Sequence, residues 1–145
     1  MKIAITGHRL YKLENYNLKW LRDSLKNLCV DLPIGIGVSG MASGIDLWYC
    51  QILRELSVPY IACIPFEEQQ ERVESFEREL RLSLISSASQ VKQVRNSHMI
   101  ESCDACIVVW DGNKGGTHNC VQQLVENNKP FYWINPCGQK IWNCV

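Results

Sequence analysis

Four short stretches of this chain collect residue types that could do chemistry: Gly7-His8-Arg9, Ser39-Gly40-Met41-Ala42-Ser43-Gly44, the run from Pro65 to Gln69, and the run from Asp111 to Thr117. All but Pro65 to Gln69 suit the holding of an anion. Glycine beside small hydroxyl residues, just ahead of a helix, lets main-chain N–H groups approach phosphate oxygens while the helix dipole adds favourable potential. Gly115-Gly116-Thr117 is the stronger case. Its glycines permit a backbone nest, and Thr117 either caps the next helix or donates its hydroxyl to a phosphate. After the 39–44 stretch, Asp46 falls in a first helical turn, where it either caps the helix or meets a ribose hydroxyl. Neither stretch is a GxGxxG fingerprint or a Walker loop, since no Gly-Lys-Ser/Thr occurs.

The side chains around these stretches carry complementary chemistry. Arg9 either grips phosphate or carboxylate with two hydrogen bonds or sits in a surface ion pair. His8 reads as a packed or capping histidine before it reads as a catalyst. Arg95 and Asn96 precede a short helix, either reaching the same cleft or serving as a solvated arginine and an N-cap. Phe66 either stacks on a base or packs within its loop. Asp111 ends a strand and faces the cleft, while Trp110 beside it belongs to the core. Gly112 and Asn119 complete the expected ligand contacts.

The elements that must position these residues alternate along the chain. Short apolar strands are expected at 2–6, 34–38, 60–64, 105–110 and 131–134. Helical spacing is expected at 13–30, 45–56, 67–86, 96–102 and 118–127, and residues 136–145 read as a tail. Strands separated by helices imply an α/β, Rossmann-like parallel sheet with helices on both faces and right-handed crossovers. Ligands in such sheets bind at the carboxyl ends of the strands. That rule selects the four stretches above.

The 145 residues fit one domain, and 46% hydrophobic with 21% charged composition is that of a folded globular chain. Fifteen basic and fifteen acidic residues give zero formal charge, so no global field draws the protein to nucleic acid or anionic membrane. We therefore expect a small-molecule partner, with no nucleic acid and no membrane. No apolar run approaches the roughly 20 residues that span a bilayer, and no signal-peptide profile precedes the first strand, so a cytoplasmic location is expected. Of eight cysteines, Cys29, Cys50, Cys63, Cys106 and Cys120 fall in or beside elements and are expected as buried free thiols. Cys103 and Cys106 form a CxxC, but no second ligand pair accompanies it, so no metal is expected. Cys137 and Cys144 either cross-link or do nothing.

Taken together, Thr6-Gly7-His8-Arg9, Gly40 to Asp46, Ile64-Pro65-Phe66 with Gln69, Arg95-Asn96 with Met99, and Val109 to Val121 resemble the YpsA/YspA-like branch of the SLOG superfamily. That Rossmann-like group is related to cytokinin-activating phosphoribohydrolases and to the DprA core, and the match runs from Thr6 to Pro136. The resemblance implies one nucleotide-binding domain over 1–145 and a site for nucleotides or ADP-ribose-like molecules. In it the GGT loop receives phosphate, and no cofactor is required. It also implies bacterial or phage relatives in nucleotide signalling or defence, and a possible homodimer. The phosphoribohydrolases carry a glutamate shortly after the Gly-Thr, but here Thr117 is followed by His118, Asn119, Cys120 and Val121. Cleavage of an N-glycosidic bond needs a carboxylate. Binding is therefore the first expectation, and hydrolysis or transfer on a nucleoside monophosphate or NAD-like substrate is the alternative, with Asp111 or Asp46 (or Glu68) supplying the carboxylate. The DprA relationship also implies a third reading, a protein-interaction or single-strand nucleic-acid module, against whose nucleic-acid version the zero net charge argues.

Overall fold

The computed structural model describes residues 1–8, 13–40, 44–64, 79–81 and 98–144. The β-branched opening forms β1 (Lys2–Gly7). Helix α1 (Leu18–Asp31) begins where the Asn17 side chain accepts a hydrogen bond from the Trp20 N–H at 3.0 Å. Leu21, Leu25 and Cys29 follow at every fourth position and are buried on one face. Past the final turn stands Pro33, whose missing N–H cannot extend the helix. The helical spacing expected from Leu13 thus starts later, because an asparagine cap satisfies the first turn at 17.

The remaining elements are β2 (Ile36–Ser39), α2 (Ile45–Glu55), β3 (Tyr60–Ile64), β4 (Glu79–Arg81), β5 (Ala105–Val109), α3 (Gly116–Glu126), β6 (Phe131–Asn135) and β7 (Lys140–Cys144). A short helical segment covers 98–102. All seven strands join one sheet in the order β4-β3-β2-β1-β5-β6-β7. Every pairing is parallel except the last, between β6 and β7. The Rossmann-like α/β fold expected from the element alternation is the one that forms.

Successive strand residues point to opposite faces, so the central strands feed two cores. Ile3, Ile5, Ile107 and Val109 pack with Leu21, Leu25, Ile45 and Tyr49 from α1 and α2. Ala4, Cys106 and Val108 pack on the other side with Met99, Ile100, Cys120 and Leu124 from the 98–102 segment and α3. All five residues of β5 are buried. Burial on both faces is why β5 reads as an unbroken apolar run. The Tyr49 hydroxyl crosses the first core and donates to the Ile3 carbonyl oxygen at 2.7 Å, tying α2 to β1.

Two expectations are corrected. Residues 79–81 lie inside the stretch expected as the helix 67–86, yet they form β4, paired in register with Ala62, Cys63 and Ile64 of β3. The open main-chain groups along β3 capture that segment, and periodicity cannot register an edge that lies elsewhere in the chain. The rest of that stretch falls outside the described residues. Residues 136–145 are not a tail: a turn at 136–139 reverses the chain and β7 pairs antiparallel with β6, with Trp133 opposite Trp142. Gly138 takes a φ of +87°, the left-handed conformation such a reversal needs.

The five cysteines expected in the interior are buried, and Cys103 joins them. Burial pushes the Cys29 and Cys50 thiols up to about 12, so neither is a thiolate at neutral pH. Cys137 sits in the turn and Cys144 at the far end of β7. Four strand residues separate their ends by about 14 Å, beyond the reach of a disulfide within one chain.

Two measurements check this packing. Tyr49→Phe removes a buried hydrogen bond and should cost about 1–3 kcal/mol in urea denaturation with an unchanged slope. Thiol-reagent labelling under native conditions should modify Cys137 first, with the six buried cysteines reacting only on unfolding.

Candidate functional site

β1 lies between β2 and β5, and the chain winds outward from it in both directions, so the β1–β5 gap is the switch point of strand order. The register pairs Gly7 with Val109. The residues that leave these strands, His8 and Asp111, therefore meet at the carboxyl edge of the sheet.

Their contact is tight and three-sided. His8 is 7% exposed, and its Nε2 lies 3.2 Å from both the main-chain nitrogen and the Oδ1 of Asp111. The two contacts are alternatives: without a proton on Nε2 the ring accepts from the amide, and with a proton there, in the neutral Nε2–H tautomer or the cation, it donates to the carboxylate. Asp111 Oδ1 also accepts the Asn113 N–H at 3.0 Å, closing an Asx turn, and Oδ2 accepts the Tyr16 hydroxyl at 3.1 Å. Burial works to raise the Asp111 pKa, but the Asn113 N–H, the His8 ring and the Tyr16 hydroxyl together hold it below the usual carboxylate range. Desolvation and the Asp111 carboxylate push Tyr16 up from its ordinary value. At neutral pH the pair is thus a phenol donating to a carboxylate. Both Asp111 oxygens are already engaged, which suits bracing of the loop better than nucleophilic attack.

Gly7 allows α2 to approach this edge: a Cβ there would stand 2.9 Å from the Cβ and Cγ2 of Ile45. Ser39 is fully buried, and its hydroxyl donates to the Asp46 carbonyl oxygen at 3.2 Å. Gly40 and Gly44 are also buried. Gly44 is the N-cap of α2 with a φ of 97°, and no side chain caps that helix. Asp46 follows inside the first turn and is 8% exposed.

The α3 side is open. Gly112, Asn113, Lys114, Gly115 and Gly116 are exposed, and Asn119 is exposed one turn on. Gly115 is the N-cap, without a side-chain hydrogen bond, and the first turn holds no acidic residue. Thr117 lies inside that turn, 8% exposed, so it is not the cap. A Cβ at Gly112 or Gly116 would meet nothing within 4 Å. By contrast, α1 fills its own amino end with Asn17. The amides of α3 face solvent with a partial positive charge and no protein acceptor from a capping side chain.

The end of β2 at Ser39-Gly40, the start of α2 at Gly44 and the 112–117 turn therefore share the carboxyl edge, with β1 and its His8 between β2 and β5. Arg9, Met41, Ala42, Ser43, Phe66, Arg95 and Asn96 lie outside the described residues, as does Glu68. Sequence reasoning missed Tyr16, which stands 95 residues from Asp111 and carries no local signal of that pairing. It also missed the indole chain behind the loop. Trp110 Nε1 donates to the Asn113 carbonyl oxygen at 2.7 Å, and Trp133 Nε1 donates to the Trp110 carbonyl oxygen at 2.7 Å. Trp110 is 9% exposed, in the core as expected.

No family model matches the chain, and no curated protein matches it. Solved structures do. DNA processing protein A (DprA) from Streptococcus pneumoniae aligns with a TM-score of 0.69 at 18% identity, over 91% of this chain and 49% of that one. DNA processing protein A from Helicobacter pylori, whose structure concerns its single-stranded DNA binding mode, aligns at 0.61 and 18%, over 92% and 64%. The Moco carrier protein of Chlamydomonas rheinhardtii aligns at 0.58 and 13%, over 91% and 74%. This chain spans about half to two thirds of the two DprA chains. The likenesses carry the Rossmann-like fold.

They also correct one expectation. Zero formal charge argues against a nucleic-acid partner, yet the fold is shared with a protein whose structure concerns single-stranded DNA. Net charge describes the field far from the surface, whereas a strand is held by local groups. Charge here is unevenly placed: Gly112 to Val145 contains Lys114, Lys129 and Lys140 against Glu126 alone.

The Tyr16–Asp111 pair has a titration consequence. A depressed Asp111 pKa stabilises the fold above the ordinary value of 3.8 and is lost as pH falls through the folded value. A raised Tyr16 pKa stabilises it below 10.0 and is lost as pH climbs toward the folded value. In Tyr16→Phe, carboxyl-carbon NMR should find the Asp111 pKa moved up toward 3.8, with the alkaline loss of stability reduced.

Proposed function

We propose that the carboxyl edge of the sheet binds the phosphate of a nucleotide or ADP-ribose-like ligand at the 112–116 loop and the amino end of α3. The observation that carries this reading is the uncapped, exposed Gly115-Gly116 start of α3, beside open space at Gly112 and Gly116. Exposed N–H groups at a helix start, with no competing carboxylate in the first turn, form an anion site. The Asp111 braces hold the loop's first residue and Asn113 in place, so little ordering is left for the ligand to cost. The motif resemblance to the YpsA/YspA-like branch points to the same ligand class.

A second reading places the phosphate within single-stranded DNA. The fold likeness to the Helicobacter pylori protein favours it, as does the lysine excess after Gly112. Both readings use one anion site, and they differ in what extends beyond it.

A thermal shift series with AMP and ADP-ribose tests the site. Ligand at about 100-fold above Kd should raise the melting temperature by about 5–10 °C. Gly116→Ala supplies the decisive comparison. Its Cβ meets no protein atom, and alanine favours helix over glycine, so the free protein should melt at the same temperature or higher. The methyl group stands where the phosphate would sit, so the ligand-dependent rise should disappear. Wild-type ligand shifts in that variant would overturn the assignment.

A further inference from the structure

Behind the loop, four aromatic rings run across the sheet. His118, in the first turns of α3, lies 5.5 Å from Trp110, centroid to centroid. Trp110 lies 5.0 Å from Trp133, and Trp133 lies 4.5 Å from Trp142. The planes of successive rings are tilted by 30–38°. The run passes through the buried Trp110 and ends at the sheet margin, where Trp142 is 39% exposed on β7.

Trp133 and Trp142 are directly opposed, so they share a face, and Lys140 shares it by strand alternation two residues away. Lys140 is exposed and pairs with Asn135, so no carboxylate opposes it in the register. β7 begins at the carboxyl edge of β6, the edge that also carries the 112–116 loop. Two strand spacings, about 10 Å, separate the line of β7 from that of β5. A cation beside an accessible indole, continuous with an open anion site and flanked by few acidic side chains, has the chemistry of a sugar-phosphate chain with its bases unstacked.

We propose that Trp142 is a stacking platform for a base of single-stranded DNA, with Lys140 holding the adjoining phosphate. The proposal rests on the anion site at α3 as the neighbouring contact along the same strand. The partly buried Trp133 and the buried Trp110 behind it fix the indole's orientation, so the platform is set before a base arrives. The tilt leaves one face of Trp142 covered by Trp133 and the other toward solvent.

The test uses the full chain, an oligothymidylate and AMP. Oligonucleotide binding should quench tryptophan fluorescence. Trp142→Leu, which keeps apolar bulk and removes the π face, should weaken oligonucleotide affinity by about 5- to 100-fold, whereas Trp142→Phe should retain most of it. Lys140→Gln should lower the salt dependence of binding by about one phosphate contact. AMP affinity, measured by calorimetry, should be unchanged in all three. Equal oligonucleotide affinity in the leucine and phenylalanine variants, or no oligonucleotide binding by the parent, overturns the platform while leaving the α3 site to stand on its AMP result. Trp142-dependent oligonucleotide binding without any AMP binding overturns the α3 site and retains the platform. Fewer subunits per assembly in Trp142→Leu than in the parent by native mass spectrometry, with no DNA bound by the parent, would assign the face to a second copy of the chain and sink the proposal.

Discussion

The parallel pairing of β1 with β5 is the contact on which everything else depends. Five register pairs, from Ile3 with Ala105 to Gly7 with Val109, join segments about a hundred residues apart in the chain. Main-chain hydrogen bonds fix that register, and burial on both faces holds it, because a slip of one residue would swap the two cores. Ile5 would then face the side that Ala4 serves, and Cys106 the side that Ile107 fills. The same register that satisfies the cores delivers His8 to Asp111 at the strand ends.

From that junction the edge divides into a braced half and an open half. On the β2 side, Ser39, Gly40, Gly44 and Asp46 are buried, and the Ser39 hydroxyl is committed to the Asp46 carbonyl. On the β5 side, Asp111 is held by Tyr16 and Asn113 while the glycines after it stay exposed. Asp111 therefore contributes through the loop it shapes. A carboxylate kept ionised by the Asn113 N–H, the Tyr16 hydroxyl and the neighbouring His8 ring is a stable post, and the amides beyond it keep their positive potential because no acid stands in the first turn of α3. Zero net charge is compatible with the proposed local anion site, since screening confines each group's field to its own neighbourhood.

Much of this was legible in the chain itself. The βα alternation, the buried character of β5 and the glycine-rich start of α3 were all expected from spacing and composition, and each corresponds to an element near the expected bounds. Local patterns failed where partners were distant. Residues 79–81 have a spacing compatible with a helix, and only the free edge of β3 makes them a strand. Lys140 to Cys144 is too short to announce itself, and only β6 makes it part of the sheet.

The sequence by itself determined the periodicities, the turn residues and the chemistry available at strand ends, because those depend on backbone sterics and side-chain type within a few residues. Tertiary structure alone decided which of those groups face one another. Tyr16 with Asp111, Gly7 beneath Ile45, and the indole run from Trp110 to Trp142 each join residues whose neighbours in the chain say nothing of the other. The physical reason is that such contacts arise from sheet order and register. These minimise exposed apolar surface and unpaired main-chain groups over the whole domain at once.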